Sequence, residues 1–273
     1  IACDVMARFK RLDGYDVKFL TGTDEHGQKV AKAAADKGIE PKALCDANSQ
    51  NFRDLAKTLG ISNDDFIRTT EPRHRQACQE LWRRVAEKGD IYKGDYEGWY
   101  CTVDEIFVPE TQLVDGACPT CGSKVERLKE ESYYFRLSKY QGFLTRLLNE
   151  RPEFIQPETR RNEILGLLAQ GLEDLSITRA RLSWAIPFPI ASAGAEPQGT
   201  WVWFDALPNY LTATGYPEKG WKERWPAQLH IVGKDITRLH CVVWPAMLQA
   251  AELPLPERVW GHGFISFGGE RFS

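Results

Sequence analysis

Asp24 and His26 are separated by one residue in the polar loop Thr21-Gly-Thr-Asp-Glu-His-Gly27, directly after the short apolar run of Val17, Phe19 and Leu20. The run predicts a strand, and the helical pattern from Gln28 to Lys37 follows the loop. In an open parallel sheet, ligands collect beyond the carboxyl ends of the strands, so both side chains are expected in that crevice. A carboxylate there can accept from an ammonium group. The same placement also suits Asp24 as a helix cap, with His26 an ordinary loop residue.

Two later segments carry comparable chemistry. In Trp203-Phe-Asp-Ala-Leu-Pro-Asn-Tyr210 the residues Trp203, Ala206 and Tyr210 are three and four apart, a small residue between two aromatics on one helical face. Such a stripe is commonly core, but Asp205 and Asn209 beside it are awkward in a plain core. In Gly233-Lys-Asp-Ile-Thr-Arg-Leu-His240, Ile236 and His240 share a face with Trp244 one turn on, and a lone histidine on such a face is commonly a satisfied core residue. Gly233 ahead of Lys234 and Asp235, at a predicted strand-to-helix junction, suits the ribose or phosphate of a nucleotide.

A metal-type constellation lies between them. Cys101-x-x-Asp104 is followed, fourteen residues on, by Cys118-x-x-Cys121, one intact knuckle and one with aspartate in place of the second cysteine. Aspartate also ligates zinc, and Pro119 and Gly122 suit a tight knuckle turn, so a bound Zn²⁺ is expected; a relic with three free thiols is the alternative. Arg73, His74, Arg75, Arg83 and Arg84 could touch RNA phosphates, although such a run more often marks a solvated helix face, and Arg160 and Arg161 read the same way.

The elements that must position these residues follow from periodicity. Val5, Phe9 and Leu12, stopped by Gly14, predict an opening amphipathic helix. Further helices are predicted from Pro41 to about Leu59 and from Pro72 to Lys88, the latter with Leu81, Trp82 and Val85 on one face and a brief strand at Phe66 and Ile67 before it. From Asp90 to Phe135 the texture becomes aromatic, glycine-rich and short-stranded, which reads as an insertion. Helical patterns return at Ser138 to Leu148 and Arg160 to Leu172, followed by breaks at Pro187 and Pro189 and a loop from Ala191 to Gly199. Strand-like Leu229 to Val232, a helix from Ile236 to Ala251 and strand-like Arg258 to Ile265 complete the chain. Alternation of this kind argues for a parallel sheet with crossover helices.

The 273 residues correspond to about two domains, or one domain with an insertion. With 35 Lys and Arg against 38 Asp and Glu, a net charge of −3, no global basic field points to nucleic acid, and DNA is not an expected partner. No apolar run reaches the ~18 residues a membrane helix needs, and the mean hydropathy is −0.42, so no membrane role is expected. Seven scattered cysteines suit a reducing compartment, the cytoplasm by default.

Taken together, the blocks TGTDEHG (21–27), YEGWYC (96–101), EESYYFRLSKYQ (130–141), WFDALPNYL (203–211), HIVGKDITRLHCVVWPAML (230–248) and WGHGFISFGG (260–269) resemble the catalytic region of the methionyl-tRNA synthetase family, class I aminoacyl-tRNA synthetases. The resemblance covers nearly the whole chain in order. It implies an α/β fold: a Rossmann-like parallel sheet with crossover helices, interrupted by a small zinc-knuckle-type connective-peptide insertion. The implied divisions are a first half of the core at 1–89, the insertion at 90–137, its helical remainder at 138–194 and the second half of the core at 195–273.

By the same resemblance, Asp24 pairs with the amino group of methionine, whose side chain lies against Trp203, Ala206, Leu207, Tyr210, Ile236, His240 and Trp244. Leu207 stands where the family often has proline. Aromatic edges and a hydrogen bond at sulfur would distinguish a thioether from an alkyl chain. ATP, with Mg²⁺, is implied at Gly233, Lys234, Asp235, His262 and Gly263, with Asp235 on the ribose and His262-Gly263 near the adenine. Zn²⁺ at Cys101, Asp104, Cys118 and Cys121 is implied to be structural. The partners are methionine, ATP and tRNA(Met).

The expected HIGH signature would precede Ile1, Glu270 to Ser273 resemble the start of the KMSKS loop, and the helical anticodon-binding domain is not among these residues. The expectation is therefore a segment, cut at both ends, that binds methionine weakly and forms adenylate poorly or not at all. Alternatives are another class I synthetase such as the cysteine-specific one, which the short insertion also permits, and a non-catalytic RNA-binding module.

Overall fold

Proline in the first turn and glycine just beyond the last bracket the helices Pro41–Thr58 and Pro72–Glu87. In the computed structural model, which describes residues 1–103, 106–108, 110–180, 182–190, 198–264, 266–268 and 270–271, the chain opens with α1 (Ala2–Leu12), β1 (Leu20–Thr23), α2 (Gln28–Asp36), α3 (Pro41–Thr58), β2 (Asp65–Arg68) and α4 (Pro72–Glu87). Pro41 and Pro72 take first-turn positions, where the missing N–H has no intrahelical partner to lose. An antiparallel segment follows: β3 (Ile91–Cys101), β4 (Ile106–Val108) and β5 (Glu126–Phe135). Then come α5 (Gln141–Glu150), β6 (Ile155–Gln156), α6 (Glu158–Ala169) and three two-residue strands, β7 (Leu175–Ser176), β8 (Thr178–Arg179) and β9 (Gly199–Thr200). The chain ends with α7 (Val202–Ala206), α8 (Asn209–Thr212), β10 (His230–Gly233), α9 (Trp244–Ala250), β11 (Val259–His262), β12 (Ser266–Phe267) and β13 (Glu270–Arg271). Of the loop expected from Ala191 to Gly199, residues 191–197 lie outside the described residues.

Parallel pairing occurs at both ends of the chain. β1 pairs with β2, from Leu20 opposite Asp65 to Thr23 opposite Arg68. β10 pairs with β11, from His230 opposite Val259 to Gly233 opposite His262, and β11 pairs in turn with β6. Among the described residues these are two separate parallel pieces. Between them in sequence, β3 pairs antiparallel with both β4 and β5, and β5 with β7, in a four-stranded antiparallel sheet of order β4-β3-β5-β7. This mixed α/β architecture with parallel strands and intervening helices fits the expected Rossmann-like class.

One core joins α4 to the later part of the chain. Ala77, Cys78, Leu81, Trp82 and Val85 of α4 are buried together with Phe135, Leu144, Phe154, Phe204, Leu211 and Trp244. Trp82 stacks on Phe204 at 6.2 Å, and Phe204 meets Phe135 at 5.8 Å. Each such side chain contributes about 1.5–3 kcal/mol by leaving water. Cys101, Val108 and Cys118 form a second, smaller cluster flanked by Leu113 and Val125.

Three expectations change in detail. The apolar stripe of α1 points outward: Val5, Phe9 and Leu12 are 61%, 55% and 88% exposed, while Asp4 and Ala7 face inward, Asp4 taking hydrogen bonds from Ser62. The first strand begins at Leu20 and runs into the polar Thr21-Gly-Thr segment, because Gly22 lies against Ile67 of the neighbouring strand. The helix expected from Ile236 to Ala251 is discontinuous, with a 3₁₀ turn at Lys234–Ile236, a π turn at Leu239–Val243 and then α9. Pro245 accounts for the break: it has no N–H to donate and its ring crowds the carbonyl four residues back, so regular α geometry restarts around it.

A Cβ on Gly22 would stand 2.1 Å from the Ile67 carbonyl oxygen and 2.7 Å from its Cγ2. Gly22→Ala must therefore push β1 and β2 apart. Urea denaturation is expected to show a loss of about 1–3 kcal/mol; an unchanged unfolding midpoint would contradict the close approach.

Candidate active site

The loop leaving β1 is fixed at the two residues that follow Asp24. Glu25 is buried, and its carboxylate accepts from Arg68 Nε at 2.7 Å, Thr70 Oγ1 at 2.5 Å and Thr23 Oγ1 at 2.8 Å. Its N–H donates to Thr69 Oγ1 at 2.9 Å, and its carbonyl accepts from Trp184 Nε1 at 2.6 Å. Next to it His26, also buried, places Nδ1 2.6 Å from Asp205 Oδ2. Gly27 then turns with φ 109°, a conformation L side chains rarely adopt, and donates to the Trp184 carbonyl at 3.0 Å. Gly27, not Asp24, is the N-cap of α2, so the capping reading of Asp24 is not the one adopted.

Asp24 itself is exposed. The protein around it nevertheless removes part of its hydration. This desolvation, together with the nearby Asp205 charge, pushes its carboxyl up to about 6, while His74 and His26 pull the other way. A carboxylate open at one side and crowded on the others is suited to a cation that enters through the mouth.

The predicted side-chain pocket assembles in part. Tyr210 Oη lies 2.6 Å from His240 Nε2, and its ring is 6.1 Å from Trp244. His240 Nδ1 is 3.0 Å from the Ile236 carbonyl, which can only accept, so Nδ1 carries the proton and Nε2 accepts from the tyrosine. The tyrosyl proton is thus directed to His240, leaving ring faces and edges, not a hydroxyl proton, for an apolar guest. Trp203, Tyr210 and Ile236 keep accessible surface, whereas Ala206, Leu207 and Trp244 are buried behind them. Leu207, 1% exposed, belongs to the core.

His230 and Trp225 join this group without having been singled out in the sequence. The His230 ring lies 4.1 Å from that of Tyr210 and 6.4 Å from Trp225, which meets Trp244 edge-on at 6.0 Å. The alternation of the β10 strand, with His230 and Val232 facing inward, was the available signal.

The second predicted subsite is brought together by strand register. Gly233 stands opposite His262 across β10 and β11, next to Lys234, Asp235 and Gly263. Lys234, Asp235, His262 and Gly263 are exposed, and Lys234 Nζ lies 4.8 Å from the Phe264 ring. Gly261 lets this edge approach Thr237 closely, since a Cβ there would meet Thr237 Cγ2 at 2.6 Å.

Cys101, Cys118 and Cys121 converge, their sulfurs all within 4.8 Å of one another and Cys101 Sγ 3.5 Å from Cys121 Sγ. Tetrahedral zinc thiolate edges are about 3.8 Å, from Zn–S bonds of ~2.3 Å, so the donor set fits zinc in type and spacing. Asp104 lies outside the described residues.

The arginine run on α4 is mostly engaged within the protein. Arg73 is bidentate on Asp65 at 2.8 and 2.9 Å, and Arg84 pairs with Glu80 at 3.0 Å. His74 is fully buried and is not part of a surface cluster. Its place in that cluster is corrected by the helix period, which puts it on the face of Cys78 and Leu81. Arg75 and Arg83 do line a shallow surface basin of about 310 Å³ with Thr70, Pro72, Gln76 and Gln79.

Burial holds His230 and His240 neutral, lowering their pKa values to about 3 and about 4; the nearby His240 lowers His230 further, and the Ile236 carbonyl partly offsets the effect at His240. In the unfolded chain both protonate near 6.5. Between about 6.5 and 4 the unfolded state therefore binds more protons, and stability falls as pH falls through that window. Imidazole NMR titration is expected to find both rings neutral at pH 5.5; protonation of either near 6.5 would contradict their desolvation.

Comparison with known proteins agrees over the full length. The family described as tRNA synthetases class I (M) matches residues 1–129 and 123–273. A methionine–tRNA ligase of Caldanaerobacter subterraneus subsp. tengcongensis is 51% identical over 277 aligned residues, covering 100% of this chain and 43% of that protein. One of Rickettsia felis is 49% identical, covering 100% of this chain and 53% of the relative. The chain thus spans about half the length of these relatives. A solved structure of Mycobacterium tuberculosis methionyl-tRNA synthetase bound by methionyl-adenylate superposes with a TM-score of 0.91 at 48% identity, over 97% of this chain and 53% of that one. With every part of the sequence matched and the fold shared, the chain belongs to the tRNA synthetases class I (M).

Proposed function

We propose that these residues form the methionine- and ATP-binding part of a methionine–tRNA ligase. The observation that carries this reading is an exposed carboxylate, Asp24, on a loop fixed from within, beside the Tyr210–His240 pair. The ammonium group of methionine would pair with Asp24, and its thioether would lie against Trp203, Tyr210, Ile236 and His240, with Ala206, Leu207 and Trp244 backing them. In a crevice with an effective dielectric near 20, opposite charges ~4 Å apart attract by about 4 kcal/mol before desolvation is counted. A single methylene is worth only about 1–3 kcal/mol, so shape and soft aromatic contact must supply the remaining selectivity.

ATP, with Mg²⁺, would lie along Gly233, Lys234, Asp235, His262 and Gly263, with Asp235 toward the ribose. The methionine carboxylate oxygen attacks the α-phosphorus, forming the acyl–phosphate bond as the α–β phosphoanhydride breaks, giving methionyl-adenylate and pyrophosphate. The acyl group then passes to the 3′ end of tRNA(Met), releasing AMP. Here the chain's own residues bind and align rather than react covalently, and alignment of this kind can supply several kcal/mol of a barrier.

On this reading residues 1–89 and 195–273 are the two halves of the catalytic core, 90–137 a connective insertion and 138–194 its return. Cys101, Cys118 and Cys121, with Asp104, would hold Zn²⁺, which supplies a structural cross-link to the insertion and no chemistry to the reaction. The seven cysteines are thiols, in keeping with a cytoplasmic protein. Among the described residues no helix is long and apolar enough to cross a membrane.

Methionine at about 100 times its dissociation constant should stabilise the fold by about 2.7 kcal/mol, a rise in Tm of several degrees. Cysteine and leucine should leave Tm unchanged, and Asp24→Asn should abolish the methionine effect. Stabilisation by cysteine alone would transfer the assignment to the cysteine-specific class. Salt-dependent tRNA binding without methionine or ATP binding would favour a non-catalytic RNA module.

Protein purified without chelator should carry close to one equivalent of zinc by elemental analysis. Its removal should raise amide exchange in β3 to β5 while sparing α4. Less than a tenth of an equivalent would dismiss the metal.

A further inference from the structure

Asp205 is a carboxylate almost wholly inside the protein, 1% exposed, one residue from the buried Phe204 and two from the buried Leu207. Removing such a charge from water costs several kcal/mol unless its oxygens are paired. Both are: Oδ2 is 2.6 Å from His26 Nδ1, and Oδ1 is 2.9 Å from His74 Nε2. His74, fully buried on α4, also places Nε2 3.0 Å from the Asp205 carbonyl and Nδ1 3.0 Å from Thr212 Oγ1. One unbroken set of hydrogen bonds therefore joins α8, α4 and α7 to the loop after β1. These hydrogen bonds outweigh burial and hold the Asp205 carboxyl below its ordinary value.

Stability alone does not call for this arrangement, because an apolar set of similar volume is often equally stable or more so. Its distinctive product is directional. His26 is two residues from Asp24, and the Asp205 contact is the side-chain hydrogen bond that anchors it. Glu25 is anchored separately by Arg68 and Thr70.

We propose that Asp205 is a positioning residue for Asp24: it clamps His26 from within the core and so fixes the turn that presents the Asp24 carboxylate to the crevice. This rests on the reading of Asp24 as the group that binds the substrate's ammonium ion. The groups facing Asp24 are Glu25 and His26 on its own loop, His74 from α4, and Asp205 and Tyr210 from the α7–α8 segment. Asp205 and Glu25 favour protonation of Asp24, and the two histidines oppose it.

The test is Asp205→Asn in the full chain, read by two measurements. Asparagine keeps the shape but has one acceptor oxygen where the carboxylate has two, so one imidazole loses its partner. A carboxyl ¹³C NMR titration should show the Asp24 midpoint, near pH 6 in the parent, moving to lower pH as a neighbouring negative charge is removed. Methionine affinity at pH 7.5 should fall at least tenfold. An unmoved midpoint with affinity within twofold of the parent would overturn the proposal.

Should Asp205→Asn not fold, His26→Phe, which keeps a ring but has no donor, severs the clamp while leaving the Asp205–His74 bond in place. A tenfold loss of methionine affinity with Tm within a few degrees supports the clamp, and unchanged affinity overturns it. If the parent chain binds no methionine, the proposed function falls, while the Asp24 titration still decides whether Asp205 acts on it.

Discussion

A carboxylate that recognises a cation from an open crevice must be held from behind, because any freedom in its backbone is lost on binding and subtracts from affinity. Here the holding is done by buried charge. Glu25 and His26, the two residues after Asp24, turn inward and are fixed by Arg68, Thr70 and Asp205. Ionised groups inside a protein are unfavourable when left alone and rigid when fully paired, and this loop exploits the second property. The geometry of the remaining site follows from it, since Asp205 belongs to the same short helix as Trp203 and Ala206. The clamp on the loop and the wall of the pocket are therefore one element.

The opposite wall depends on irregular backbone. Regular α geometry is interrupted around Pro245, and the π turn at Leu239–Val243 contains His240. His240 can then use Nδ1 on the Ile236 carbonyl and Nε2 on Tyr210 at once. Burial keeps that imidazole neutral, which leaves Nε2 a lone pair to accept the tyrosyl proton. Charge at the mouth and neutrality in the interior are the division that an amino acid with an apolar tail requires.

Much of this was legible in the residues themselves. Pro41 and Pro72 mark helix starts through their missing N–H, and Leu81, Trp82 and Val85 declare the buried face of α4 by their spacing. Asp24 and His26 stand out because a polar loop between a strand and a helix is where a parallel sheet presents ligands. His74 was misplaced because its neighbours are arginines, although its spacing from Cys78 and Leu81 puts it on the buried face. The outward stripe of α1 illustrates the limit of periodicity, which reveals a face but not what the face meets. The Asp205 clamp was not legible, since His26, His74 and Asp205 are far apart in sequence and only tertiary packing joins them. Leu207 is likewise apolar in both readings, and only burial assigns it to the core.

The central claim is that an inwardly fixed loop offers Asp24 to an ammonium ion beside an aromatic recess. A crystal of this chain soaked with methionine tests it most directly. The account predicts the amino nitrogen within hydrogen-bond distance of the Asp24 carboxylate, about 2.7–3.2 Å, with the thioether against Trp203 and Tyr210 and the His26–Asp205 contact intact. Methionine bound elsewhere, or with its carboxylate in place of its amine toward Asp24, would contradict it.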